Sequence, residues 1–446
     1  MKTSRQLKIT AILLVHTLIL AFFRVGFAQE TEIKIDADEQ ELVIDSIAKF
    51  MKDKYVFPDV GEQMGDLVTK NLKDGVYKDI NNPQEFAVKV TEDLRSVSND
   101  KHIGLRYAPE MIAMIKKMEE DENNKEYEEY EKKVRESNNF AFKEIKILPG
   151  NVGYLKFNAF YDASVAGPTA IAALNFLAYT NALIIDLTDN GGGSPSLIQL
   201  MTSYFFEDTE HLNSFYIREG DKTQQFWTLP YVPGKKMTET DLYVLTSTRT
   251  FSGAEEFTYN LKNMERATII GETTGGGAHP VDRHIINDNF GITIPFGRAV
   301  NPITNTNWEG TGIEPNIETT KSEAKETAYL MALEKLSEKE QDEKIKYGID
   351  WAIVRLKAKL EPKTLDEKNM KKYVGVYGPR KITFENGALY YQREDRTKMK
   401  MIPIDEDTFM FEEIDYFHLQ IITEDGKAVG VKGLYDSGRS DENKKS

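Results

Sequence analysis

The first candidate for a reactive residue in this sequence is a serine. It lies shortly after an apolar run and opens a helical pattern. Ser252 lies in the segment 250–256, just after the apolar run 242–246. A helix N-terminus presents unpaired N–H groups and the positive end of the helix dipole. The N–H of Gly253 is therefore a candidate donor to a developing oxyanion. Serine is also a favoured N-cap residue, and this motif alone is explained more simply by a helix cap.

A glycine-rich loop is the second such feature. The segment 186–193 contains three consecutive glycines, including Gly191 and Gly192. It begins at the end of the apolar run 182–187. Glycines allow close backbone approach and unusual dihedral angles, so this loop is able to direct an N–H group at a substrate carbonyl. An ordinary turn between a strand and a helix explains the loop equally well. The G-x-x-x-x-G-K-[ST] pattern of a phosphate-binding loop is absent.

A serine nucleophile needs a nearby base, and His102 is the first candidate. A lone histidine is more often structural or exposed, so His102 carries little weight by itself. His279 lies on a glycine-rich segment and is a candidate for contact with substrate. The other histidines after residue 28 are His211, His284 and His418.

Cysteine and histidine usage excludes several kinds of site. The sequence contains no cysteine, which excludes a thiolate nucleophile, a disulfide framework and zinc sites built on cysteine. No H-E-x-x-H pattern is present, so the helical zinc-protease motif is absent too. We therefore expect neither a metal nor another cofactor.

Alternating strand and helix patterns predict the elements that carry these residues. Continuous apolar runs are typical of buried parallel strands, and helical patterns at 196–206 and 253–264 lie between them. This alternation predicts an α/β core with a mainly parallel sheet. The predicted strands are 152–157, 182–187, 242–246 and 267–271.

Composition shifts divide the chain further. Helical patterns before the core and short alternating strands after it predict a helical N-terminal domain and a small antiparallel β domain. The predicted limits are 29–144 for the helical domain, 145–320 for the catalytic core, 321–362 for a helical linker, 363–437 for the β domain and 438–446 for a frayed tail.

The first residues have the pattern of a targeting segment. A basic start at 2–8 precedes the apolar run 9–23, and 26–28 form a small-x-small cleavage site. A cleaved signal peptide over 1–28 is predicted, with an uncleaved anchor as the alternative. The protein is therefore expected to be exported, to the periplasm or outside the cell, with this leader as its only membrane segment.

Overall composition is that of a folded soluble protein, with 40% hydrophobic and 29% charged residues. The net charge of −15 argues against nucleic acid or an anionic membrane surface as the main partner.

Three motifs together carry a family resemblance. The segments that carry it are 182–194, 245–277 and 308–315. Within the last two, Ser-Gly-Ala after a strand is followed by Gly-Glu-Thr-Thr-Gly-Gly-Gly and then by Glu-Gly-x-Gly-Ile-x-Pro, in that order and spacing. The sequence resembles the tail-specific protease (C-terminal processing peptidase) family of serine peptidases. The similarity covers roughly 41–316. It is closest to the branch containing the tricorn core and the repeats of interphotoreceptor retinoid-binding protein.

The resemblance implies a crotonase-like ββα core, a peptide or protein substrate and a role for each motif. Ser252 is implied as the nucleophile and His102 as its base. The oxyanion hole is implied to combine the Gly253 N–H with that of Gly191 or Gly192. An acidic residue that completes the polar network falls on Glu309.

Two departures from the family pattern matter. One branch uses a lysine base some two dozen residues after the serine, and the segment 272–277 here contains no lysine. A histidine base is therefore preferred. The tricorn-like pattern also has a serine directly before the histidine, where this chain has Lys101. This change leaves open whether Glu309 reaches His102 directly, through water or not at all.

Two functions other than catalysis are compatible with the same fold. One is a non-catalytic protein that binds an apolar ligand or a peptide. The other is a scaffold that docks partners through the C-terminal β domain. The presence of Ser252, His102 and Glu309 together favours catalysis. The sequence gives no indication of the oligomeric state.

Overall fold

The computed structural model describes residues 34–120 and 125–446, so the predicted signal peptide lies outside the described residues. The chain divides into two compact units that are discontinuous in sequence. Among the described residues, the first comprises 34–120 with 218–220 and 281–297, and the second comprises 125–217, 221–280 and 298–446. The first unit thus includes strands from beyond residue 280, which the predicted division at residue 144 does not anticipate.

Helices and strands alternate through the middle of the chain. The helices are α1 (Ala37–Lys54), α2 (Pro58–Lys73), α3 (Pro83–Ser98), α4 (Pro109–Glu120), α5 (Lys125–Ser137), α6 (Ala163–Leu177), α7 (Pro195–Thr202), α8 (Gly253–Asn263), α9 (Ala324–Lys339), α10 (Glu343–Leu360) and α11 (Glu367–Lys372), with 3₁₀ turns at Asn139–Ala141 and Ser203–Phe205. Within the described ranges, no helix is both long and apolar enough to cross a membrane.

The strands are β1 (Gly104–Tyr107), β2 (Phe142–Leu148), β3 (Val152–Phe157), β4 (Ala182–Asp186), β5 (His211–Ile217), β6 (Lys222–Trp227), β7 (Asp241–Thr246), β8 (Thr268–Gly271), β9 (Val281–Ile285), β10 (Phe290–Pro295), β11 (Gly297–Val300), β12 (Ile317–Glu318), β13 (Gly375–Tyr377), β14 (Arg380–Glu385), β15 (Ala388–Arg393), β16 (Met399–Lys400), β17 (Ile402–Pro403), β18 (Thr408–Met410), β19 (Phe417–Glu424), β20 (Lys427–Tyr435) and β21 (Ser440–Lys444).

The first unit packs helices α1 to α4 with an antiparallel sheet of order β1-β10-β9. Its α3 begins as the sequence suggests, because the Asn82 side chain accepts hydrogen bonds from the next turn and Pro83 occupies the first helical position. Phe86 of α3 packs edge-on against Phe290 of β10, with ring centroids 5.9 Å apart. This contact joins segments separated by some two hundred residues in one core.

The second unit contains a six-stranded sheet of order β12-β8-β7-β4-β3-β2. All neighbours are parallel except β2, which pairs antiparallel with β3. The predicted α/β fold with a mainly parallel core sheet is confirmed. Because the carboxyl ends of parallel strands share one edge of a sheet, the loops after β4 and β7 lie side by side.

Apolar side chains cover both faces of this sheet. One face packs against α6, α7 and α8, with Leu183, Ile185 and Phe257 in its core. The other face packs against α9 and α10, where Ala324, Ala328 and Ala332 lie against the sheet. The stretch predicted as a linker therefore contributes a layer of the core. Small residues spaced by four give α9 a face that fits closely on the strands.

The C-terminal part contains two antiparallel sheets, of orders β13-β14-β15-β16 and β17-β18-β19-β20-β21, in agreement with the predicted β fold. Its last residues correct the sequence analysis. Residues 440–444, which we expected to be frayed, form β21 and pair with β20 from Gly430 to Leu434. The pairing of backbone groups holds a segment whose polar composition alone gives no strand signal.

Candidate active site

Ser252 lies in the turn between β7 and α8, as predicted, and its backbone is strained. Its φ is 53° and its ψ is −121°. A side chain that has a Cβ rarely adopts a positive φ. An ordinary N-cap residue has extended dihedrals, so a simple helix cap does not account for this conformation. Strain of this kind persists only where the surrounding structure enforces it, and a strained serine between a strand and a helix is the arrangement of a nucleophile elbow.

The glycine-rich loop after β4 packs directly against this turn. Gly192 has a φ of 98°, and a Cβ placed on it would lie 2.6 Å from the Gly253 nitrogen and 2.9 Å from the Ser252 Cβ. Such distances exclude any side chain at this position. The Phe251 N–H also donates to the Asn190 carbonyl at 3.1 Å. The two motifs that the sequence placed sixty residues apart are thus in contact.

The predicted oxyanion donors differ in their present hydrogen bonds. The Gly191 N–H donates to the Asn158 carbonyl at 3.3 Å, and the Gly192 N–H donates to the Asn190 side chain at 2.9 Å. Either group must release its acceptor before it can bind an oxyanion. The longer bond of Gly191 makes it the easier one to release. The Gly253 N–H belongs to the first turn of α8, where the helix supplies no acceptor.

Glu255 is a buried carboxylate beside Ser252 that the sequence analysis did not select. Its Oε2 atom accepts from the Ser252 N–H at 2.8 Å and from the Gly277 N–H at 2.9 Å. Its Oε1 atom accepts from the Thr274 hydroxyl at 2.5 Å and from the Gly276 N–H at 2.7 Å. Burial raises the pKa of Glu255, and these four hydrogen bonds oppose that rise. The sequence contained one signal for the role of Glu255, because a glutamate three residues after a helix-capping serine is the spacing of a capping box.

Glu309 and His279 lie together in the second unit. The Glu309 Oε2 atom is 3.5 Å from the His279 Nδ1 atom and accepts from the Ala278 N–H at 2.5 Å. The neighbouring Trp308 donates its indole N–H to the Gly277 carbonyl at 2.8 Å. The segment 308–310 therefore contacts a second glycine-rich loop, 274–277, which also donates to Glu255.

His102 lies in the first unit, in the turn between α3 and β1. Its backbone N–H donates to Asp100 Oδ1 at 2.9 Å, and its Nδ1 atom lies 3.8 Å from that oxygen. Asp100 is fully buried and also accepts from the Tyr55 hydroxyl at 3.3 Å. Arg95 donates to the Ile103 carbonyl and stabilises the turn. Asp100 is a second carboxylate that we did not predict, and only its position two residues before His102 signals it.

The next residue along α8, Glu256, gives a prediction about stability. Its side chain is 3% exposed, and burial raises the pKa of its carboxyl from 4.5 to about 7. Between these values the folded chain keeps a proton that the unfolded chain loses, so stability falls as pH rises from about 4.5 to about 7 and stays low above it. Glu256→Gln should remove this loss, which is roughly 3 kcal/mol. Urea unfolding at pH 5 and pH 8 measures it.

The control for this prediction is Glu338→Gln, which changes an exposed carboxyl on α9. This variant should keep the pH dependence of the wild type. Equal pH dependence of unfolding in wild type and Glu256→Gln would contradict the prediction.

Comparison with known families now identifies the chain. A model of peptidase family S41 matches residues 151–319. A model of the N-terminal domain of peptidase S41 in eukaryotic interphotoreceptor retinoid-binding protein matches residues 33–145. The chain belongs to peptidase family S41. This S41 chain is of the serine-type peptidase class, and the resemblance to tail-specific proteases is confirmed.

Solved structures include similar chains at low identity. A candidate peptidase from Parabacteroides merdae is 17% identical, with 64% of this chain and 90% of that chain covered and a TM-score of 0.45. The photosystem II D1 C-terminal processing protease is 13% identical, with coverages of 63% and 93% and a TM-score of 0.40. The tricorn protease is 13% identical, with coverages of 72% and 37% and a TM-score of 0.41. At TM-scores this low, these similarities carry no functional inference.

Proposed function

We propose that this S41 chain is an exported peptidase that cleaves peptide bonds through an acyl-enzyme on Ser252, with His102 as the base. The observation that supports this proposal most is the strained backbone of Ser252, which follows a parallel strand and packs against Gly192. A helix cap does not need this conformation, whereas a nucleophile gains from it because the turn presents the hydroxyl outward.

The proposed reaction is acyl transfer in two steps. Ser252 Oγ attacks the peptide carbonyl carbon while His102 takes its proton, and the carbonyl oxygen becomes an oxyanion. The N–H groups of Gly253 and of Gly191 or Gly192 stabilise that charge. Collapse of the intermediate breaks the peptide bond, and His102 returns the proton to the leaving amine. Water then repeats the sequence on the ester and releases the acid, without a cofactor.

Export rests on the sequence of the first residues. The basic start, apolar run and small-x-small site over 1–28 support a cleaved leader, and with it a periplasmic or extracellular place of action. The substrate is proposed to be a peptide or protein, since the proposed chemistry acts on a peptide carbonyl.

A fluorophosphonate probe followed by peptide mass spectrometry tests this proposal. Such a probe phosphonylates a serine only when a base and an oxyanion hole activate it. We expect a single adduct on the peptide that contains Ser252, and none after heat denaturation. A folded wild-type protein that remains unlabelled would reject the proposal.

An unlabelled protein would favour a second function. The match of residues 33–145 to a domain of interphotoreceptor retinoid-binding protein makes binding of an apolar ligand the alternative. Titration with a fluorescent fatty acid or retinoid would then show saturable binding that does not depend on Ser252.

Glu309 is proposed to stabilise the imidazolium that forms during the reaction. A carboxylate near an imidazole favours its charged form, and Glu309 already lies against one histidine, His279. Glu309→Gln should lower kcat for a peptide ester by one to three orders of magnitude, roughly 1.4–4 kcal/mol, with little effect on Tm. The exposed Glu314→Gln is the matched control. An unchanged kcat in Glu309→Gln would limit the site to Ser252, His102 and the oxyanion loops.

A further inference from the structure

The carboxylate of Glu255 joins two backbone segments beside the proposed nucleophile, the turn at Ser252 and the loop 274–277. The Ser252 N–H donates one hydrogen bond, and the loop 274–277 donates three, from the Gly276 and Gly277 N–H groups and from the Thr274 hydroxyl. Glu255 itself is fully buried. Each carboxylate oxygen therefore receives two donors.

A group surrounded only by donors acts best as an ionised acceptor. A protonated carboxyl would bring an O–H towards N–H groups that cannot accept it. The Thr274 hydroxyl is the one neighbour able to turn, but its oxygen also accepts from the Ile313 N–H at 2.8 Å. The arrangement is thus built for a carboxylate, and the loss of that carboxylate leaves buried N–H groups without an acceptor.

The position of these donors connects the carboxylate to catalysis. The Ser252 N–H belongs to the residue with a φ of 53°, a conformation that costs about 1–3 kcal/mol and needs external restraint. The Gly276 carbonyl accepts from the Gly310 N–H at 3.1 Å, so the same loop also holds the segment that carries Glu309. The Glu255 carboxylate therefore contacts both the Ser252 turn and the loop that holds the Glu309 segment.

We infer that Glu255 is a positioning residue that holds the strained Ser252 turn and the loop 274–277 in register with each other. The inference rests on the proposed function of Ser252 as the nucleophile. Glu255 does not touch substrate in this role. It acts because its two oxygens fix where the Ser252 backbone, and hence the hydroxyl and the Gly253 N–H, stand before the reaction begins.

Two substitutions should give graded effects. In Glu255→Gln the amide nitrogen should face Thr274, whose hydroxyl can turn, so the Ser252 N–H keeps its acceptor and the Gly276 N–H loses one. We expect the fluorophosphonate labelling rate and kcat to fall about 10-fold. Glu255→Met removes every acceptor at similar volume, and we expect a fall of about 100-fold, which is the usual cost of misplacing a reacting group by an ångström.

The same protein supplies a matched control. Glu256→Gln makes the same change one residue further along α8, where the carboxyl lies beside Asn213 and contacts none of these donors. We expect its labelling rate to stay within about twofold of the wild type. KM for a peptide ester should change less than kcat in both Glu255 variants, because positioning affects the reacting turn and not the groups that bind substrate.

The outcomes distinguish failure of the inference from failure of the proposed function on which it rests. A wild-type protein that the probe does not label removes the proposed function and this inference with it. A labelled wild type with both Glu255 variants folded and within about twofold of its rate overturns the inference alone. An equal fall in Glu256→Gln overturns it as well. Failure of both Glu255 variants to fold would also overturn it, because the carboxylate would then serve the fold and not the nucleophile.

Discussion

Ser252→Ala is expected to lower hydrolysis of a peptide ester at least about 10³-fold, because no other group in the proposed mechanism forms the acyl-enzyme. Its Tm should stay close to that of the wild type. Alanine and serine both carry a Cβ, so both experience the same strain at a φ of 53°. Purified variants assayed side by side, with Tm from a thermal melt, measure both effects.

Ser252→Gly is the matched variant for the geometry. Glycine adopts a positive φ without steric cost, so this variant should be as inactive as Ser252→Ala yet more stable by about 1 kcal/mol. Activity of Ser252→Ala within about tenfold of wild type, roughly 1.4 kcal/mol of barrier, would exclude Ser252 as the nucleophile. A glycine variant no more stable than the alanine variant would count against the strained turn.

His102→Ala is expected to lower kcat about 10²- to 10⁴-fold, the usual contribution of a general base. A serine hydroxyl without its base is a weak nucleophile. The turn around His102 is held by Asp100 and Arg95 through backbone groups that the substitution keeps, so the fold should survive. Added imidazole should restore part of the activity if the missing group is the base.

Two other histidine variants complete this test. His284→Ala removes a histidine of the same unit that stacks on Phe50, and it should leave kcat unchanged. His279→Ala tests the rival base, which lies just after the loop 274–277. Full activity of His102→Ala together with a large loss in His279→Ala would transfer the role of base to His279.

Part of the core could be read from local pattern. The apolar runs at 152–157, 182–187 and 242–246 became β3, β4 and β7 with at most one residue of difference at each end. A strand buried on both faces needs an unbroken apolar run, and such a run can be recognised from consecutive residues alone. The place of Ser252 between β7 and α8 followed for the same reason.

Other features depended on contacts between distant segments. No local pattern indicated that 281–297 joins the first unit, because strand pairing there is set by partners in 104–107. Residues 440–444 look like a polar tail, yet β20 supplies a ladder for them. Hydrogen bonds to a neighbouring strand do not depend on side-chain type, so composition does not reveal them.

The family, the α/β core and the serine that opens α8 could thus be predicted without a structure, because each depends on a short run of residues. How that serine is held, by contrast, depends on contacts in the folded chain. The approach of Gly192 to Ser252 and the three donors that the loop 274–277 supplies to Glu255 require loops from different parts of the chain to come together. The three-residue spacing of Ser252 and Glu255 indicates only the local hydrogen bond between them, and no local spacing encodes the contacts between distant loops.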